Sequence, residues 1–130
     1  LYNLNLGHVY KSAQKYVVKK DMRISKIPHI PDLSDLYYIY NLITLNNRIS
    51  VLEYGTGWSS LIIYKALQFN KKKNNNKFYT RCDNPYSLTI VDNVKKFMKI
   101  SKKRLQNQFG KKANIYFHYS NSLPNLYSTA

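Results

Sequence analysis

The chain has 130 residues, 44% of them hydrophobic, and a formal net charge of +15. That size and apolar content suit one domain with a real core and exclude a wholly disordered chain. The single cysteine, Cys82, excludes an internal disulfide framework, and no apolar run approaches the ~20 residues of a membrane helix, so a reducing cytoplasm is the expected compartment.

Residues 1–31 read as a separate N-terminal segment. Val9, Ala13, Tyr16 and Val17 have the spacing of one face of a short helix. "KIPHIPD" reads as extended, because Pro28 and Pro31 each disfavour helix at the preceding residue. The domain proper is expected over 32–130. "DLSDLYYIYNLITLNN" predicts a helix capped by Asp32 or Ser34, with Leu36, Ile39, Tyr40 and Ile43 at helical spacing and Asn46-Asn47 as its stop. "ISVLEYG" predicts a short apolar strand of the kind buried within a parallel sheet. "SSLIIYKALQFN" predicts a helix that is apolar on most faces.

Residues 70–87, "NKKKNNNKFYTRCDNPYS", are too polar and too long for an ordinary connection and read as a mobile loop inserted in the domain. "SLTIVDN" predicts a second strand. The next helix places Val94, Phe97, Met98, Leu105 and Phe109 on one stripe, with most of its lysines off it. Asp92 or Asn93 caps its start, and Gly110 stops it. "ANIYFHYS" predicts a third strand.

Alternating strands and helices imply an α/β fold with a parallel sheet and right-handed crossovers. Ligands of such sheets bind beyond the carboxyl ends of the strands. Those ends are 53–57, Asp92-Asn93 and 120–122. Gly55 and Gly57 lie where the first strand turns into a helix, and glycine permits positive φ and close approach to a ligand. The helix start near Ser59 favours an anionic group. Glu53 adds a carboxylate beside it, so the turn suits an amino acid, which carries both charges. Asp92 can accept two hydrogen bonds from a ribose diol. An amino acid joined to a nucleoside describes S-adenosylmethionine.

"VLEYGTGWSS" resembles the first motif of class I S-adenosylmethionine-dependent methyltransferases, an acid followed by x-Gly-x-Gly. "LTIVDN" resembles their second motif, a strand ending in an acid. The likeness runs from about Asp32 to Ser122. It implies a Rossmann-like three-layer α-β-α fold and a cofactor held along Glu53, Tyr54, Gly55, Thr56 and Gly57. Glu53 would meet the methionine amino group, Ser59 and Ser60 the carboxylate, Asp92 the ribose, and Asn93, Ser120 and Asn121 the nucleoside end. Two positions depart from the family. Asn93 stands where an apolar residue often packs on the adenine, and "YSNS" supplies only neutral groups after the third strand. The family's sheet has seven strands and this chain shows three, so it reads as the N-terminal half of such a domain. Methyl transfer is the implied activity, with a small-molecule or sugar hydroxyl as the expected acceptor and no catalytic base identified.

Plainer readings stand beside these. Asp92 also suits a helix N-cap, and the two roles are compatible. Trp58 reads as a packing residue over the turn. His8, His29 and His118 lack metal-ligand spacing, so no metal is expected. Two other functions remain open. A dinucleotide-binding oxidoreductase fits less well, because Ser60 replaces the third glycine of its fingerprint. A non-catalytic basic module for nucleic acid would explain the charge. However, all but four of the 21 basic residues are lysine, alongside many other residues with AT-rich codons. A nucleic-acid site favours arginine, whose planar fork suits phosphates and bases. Codon bias is the preferred explanation, and a nucleic-acid partner is not favoured.

Overall fold

The computed structural model describes residues 32–75 and 81–121. The readings of residues 1–31 and of Ser122 lie outside them. In chain order the elements are α1 (Leu33–Leu45), β1 (Ser50–Tyr54), α2 (Trp58–Lys73), β2 (Ser87–Asp92), α3 (Lys95–Phe109) and β3 (Ile115–Tyr119). The strands form one parallel sheet in the order β1-β2-β3. This is the α/β arrangement with a parallel sheet that the alternation implied, and it is Rossmann-like, as the resemblance implied.

Asp32, not Ser34, caps α1, accepting the Ser34 N–H at 2.8 Å. The helix stops at Asn46, and Asn47 follows at φ 48°, a conformation that asparagine tolerates better than most residues. Leu36 and Ile43 face inward against α2, whose Ile62, Ala66 and Leu67 are wholly buried.

Strand alternation puts Val51, Glu53, Leu88, Ile90 and Asp92 on one face, in register with Ile115, Phe117 and Tyr119 of β3. The core cluster draws its strand residues from that face only. On the other face Leu52 and Tyr54 are 54% and 57% exposed, and Tyr116 is 46% exposed. The described residues thus supply two of the three expected layers. The expectation that the first strand is buried is corrected accordingly: β1 alternates between a half-buried and an exposed side.

The polar stretch expected as a loop over 70–87 is also shorter than its composition implied. α2 continues through Lys73, and β2 already begins at Ser87. Asn70 is fully buried, and its Nδ2 donates to the carbonyls of Ile43 (3.1 Å) and Arg48 (2.7 Å). Those bonds tie α2 to the end of α1 and to the segment that follows it. Lys71, Lys72 and Lys73 occupy the last turn of α2, where cations suit the helix dipole. Residues 76–80 lie outside the described part.

Candidate functional site

The carboxyl ends of the strands converge on the turn between β1 and α2. The Gly55 N–H donates to the Val91 carbonyl at 2.7 Å, which ties the turn to β2. Gly55 sits at φ 81°, a left-handed conformation that glycine adopts without a Cβ penalty. Gly57 corrects the expectation of positive φ at both glycines. Its φ is −177°, extended backbone open to any residue. A Cβ at Gly57 would meet nothing within 4 Å, as at Gly55, so the space beside the turn is open at both glycines.

Glu53 is the one glutamate in the chain. It points from the half-buried side of β1 toward the first turn of α2. Ser59 Oγ donates to its Oε1 and Ser60 Oγ to its Oε2, both at 2.5 Å. Burial raises the Glu53 pKa, the two serine hydroxyls oppose that shift, and the nearby Asp92 charge adds to it. The carboxylate is therefore short of positive charge.

Asp92 ends β2 on the same sheet face and is only 4% exposed. Its Oδ2 accepts the Thr56 N–H and its Oδ1 the Val94 N–H, both at 2.8 Å. The residue preceding α3 is Val94, and no side chain caps that helix. This corrects the expectation that Asp92 or Asn93 caps it, and it removes Val94 from the helical stripe. The physical reason is that Asp92 folds its carboxylate onto Val94 in a local side-chain turn, so the helix begins later. Asn93 lies exposed beyond the strand.

Thr56 links three elements. Its Oγ1 donates to Ser101 Oγ of α3 at 2.5 Å and lies 2.9 Å from Ser60 Oγ of α2. Ser101 is 1% exposed and was missed by sequence reasoning. A signal was present: a serine stands on the stripe formed by Met98 and Leu105, where a core residue belongs. Trp58 is buried, with the Arg104 guanidinium 3.6 Å above its ring, so it packs beneath the turn. Tyr54 is exposed on the opposite sheet face. Ser120 donates its N–H to the Asp92 carbonyl at 3.0 Å. Asn121 accepts from the Tyr119 hydroxyl. Glu53, Gly55, Thr56, Gly57, Ser59, Ser60 and Asp92 are thus brought together by hydrogen bonds at the strand ends, while Asn93, Ser120 and Asn121 follow the ends of β2 and β3 beside them. Among the described residues, no three His, Cys, Asp or Glu side chains gather as a metal site. Nor is any described helix long and apolar enough to cross a membrane.

No family model matches the chain. No curated protein matches it. Among solved structures it resembles one described as "a putative caffeoyl-CoA O-methyltransferase from Staphylococcus aureus". The TM-score is 0.50 at 15% identity, over 98% of this chain and 53% of that one. The shared property is the α/β, Rossmann-like fold, and this chain spans about half the length of its neighbour.

Proposed function

We propose that this chain forms the cofactor-binding part of an S-adenosylmethionine-dependent methyltransferase. One observation carries the reading. Glu53, fixed by Ser59 and Ser60, shares a sheet face with Asp92, and Gly57 leaves open space at the turn between them. The methyltransferase-like fold of the neighbour supports it.

The residues fit the cofactor's charges. A cation beside Glu53 would compensate a carboxylate that burial disfavours. The first N–H groups of α2 lack partners within the helix and favour an anionic group. A carboxylate offers about four acceptor positions. Asp92 uses one on each oxygen for Thr56 and Val94, which leaves acceptor capacity for a diol. Gly57 allows the backbone to come close to a bound molecule.

When bound, S-adenosylmethionine supplies an activated methyl group for in-line transfer to a nucleophile. This chain's contribution is to hold one reactant in a fixed orientation, the main source of rate in such a transfer. A small-molecule or sugar hydroxyl is the proposed acceptor class. Calorimetric titration of the chain with S-adenosylhomocysteine and with a nicotinamide dinucleotide tests the reading. The first should bind in preference. Tighter binding of the dinucleotide would assign the turn to an oxidoreductase.

A further inference from the structure

The outer edge of the sheet carries a feature that the cofactor reading does not use. Two recesses run along the seam between α3 and β3, with volumes of about 300 and 330 Å³. They meet at Lys102 and Phe117. Met98, Phe117 and Tyr119 form the floor of one recess, and Lys95, Lys99 and Lys102 form its rim. Lys111 extends the basic rim along the other. Among the described residues, neither recess has a carboxylate in its lining. α3 contains no acid at all.

The aromatic spacing is specific. Phe117 and Tyr119 are two residues apart on one strand, so both rings project from the same face, roughly 7 Å apart. Lys95 Nζ lies 4.8 Å from the centroid of Tyr119, and Lys102 Nζ 5.9 Å from that of Phe117. Tyr119 is 43% exposed. Tyr119 presents an exposed ring, Phe117 is half-buried against the core and lines the groove floor, and the lysine beside each ring is long and flexible enough to swing aside to a phosphate. Successive flat rings bordered by a row of cations suit single-stranded nucleic acid, whose bases stack while its backbone follows the charge. A duplex hides its bases, and an acidic peptide has no use for evenly spaced ring faces.

We infer that the α3–β3 groove binds single-stranded nucleic acid, with bases on Phe117 and Tyr119 and phosphates along Lys95, Lys99 and Lys102. The inference stands apart from the cofactor reading, because no residue is shared between the two sites.

Fluorescence anisotropy on the full chain tests it, using labelled oligouridine and oligothymidine 12-mers, a duplex of equal length and poly-glutamate. The single strands should bind more tightly than the duplex or the peptide. Tyr119→Ala should weaken single-strand binding at least about fivefold. Phe117→Leu keeps an apolar group at the floor and should also weaken it. Replacing Lys95, Lys99 and Lys102 by Gln should lower the slope of log affinity against log salt by about 2, at roughly 0.7 per lost phosphate contact. The same replacement of Lys71, Lys72 and Lys73, at the far end of α2, should change the slope little. Circular dichroism of each variant separates lost binding from lost fold. Equal binding of the duplex or the peptide, or equal loss from the two lysine sets, would mean diffuse charge and overturn the inference. Undiminished affinity in folded Tyr119→Ala and Phe117→Leu would do the same.

Discussion

The Thr56 N–H donates to Asp92 Oδ2 at 2.8 Å, so the glycine turn is pinned to the end of the neighbouring strand. Together with the Gly55 bond to Val91, this makes the shape of the turn depend on β2. The acid at the end of β2 is therefore part of the turn's construction as well as a candidate ligand.

Asp92→Ala should accordingly lower stability. It leaves the N–H groups of Thr56 and Val94 without their acceptor. Hydrogen bonds to a charged group contribute about 1.5–3 kcal/mol each, so a loss of at least about 2 kcal/mol is expected in urea unfolding. Asp92→Asn keeps one acceptor oxygen and should lose less. A neutral Asp92→Ala would contradict the anchoring role.

The two glycines should separate fold from ligand. Gly55→Ala forces an L side chain to φ 81° and should cost about 1–2 kcal/mol. Gly57→Ala meets no strain and no neighbour within 4 Å, so its stability should change by less than about 1 kcal/mol, the scale of a cap substitution. Its affinity for S-adenosylhomocysteine should nevertheless fall, because the added methyl occupies the space proposed for the ligand. Thermal melts and titrations on both variants check the pair. Unchanged affinity in Gly57→Ala would show that the space is not used.

Thr56 and Ser101 should be energetically coupled. A double-mutant cycle with Thr56→Val and Ser101→Ala isolates their hydrogen bond. The expected coupling is about 0.5–1.5 kcal/mol. Additive single effects would mean that α3 is not tied to the turn through these hydroxyls.

The pH dependence follows from Glu53. Its folded-state pKa lies above the ordinary value of 4.5, chiefly because burial disfavours the charged form. Between those two values the folded state holds more protons than the unfolded one. Stability contributed by this group therefore falls as pH rises through that window. Glu53→Gln removes the penalty, so the variant should gain on the wild type as pH climbs from 4.5. Urea melts from about pH 4 to 8 measure the difference. A stability difference that stays constant with pH, or moves in the wild type's favour as pH rises, would contradict the assigned cause.

Much of this arrangement was legible in the residues. Alternating apolar runs placed β1, β2 and β3 within a residue or two, and Asp32 capped α1 as its chemistry implies. The acid-and-glycine turn was legible because glycine at a strand end marks a tight turn, as Gly55 at φ 81° does here. Other features depend on tertiary partners that no local pattern reveals. Asn70 and the lysines after it read as a loop. Asn70 instead finds two carbonyls more than 20 residues away in sequence, and this holds α2 in helix. Asp92 read as a cap, but its carboxylate has two claimants, Thr56 and Val94, and only Val94 is local. Ser101 acquires meaning only when α3 crosses the turn. The exposed face of β1 was hidden for a related reason. An apolar residue such as Leu52 looks the same in sequence whether or not a layer covers it.

The most direct test of the proposed cofactor site is an amide ¹H–¹⁵N nuclear magnetic resonance titration of the chain with S-adenosylhomocysteine. It detects weak binding and reports its location. The predicted result is concerted shifts at Gly55, Gly57, Ser59 and Asp92, with the far end of the sheet around Ser87 unchanged. Saturating ligand with no shift at the turn, or shifts confined to residues outside it, would contradict the assignment.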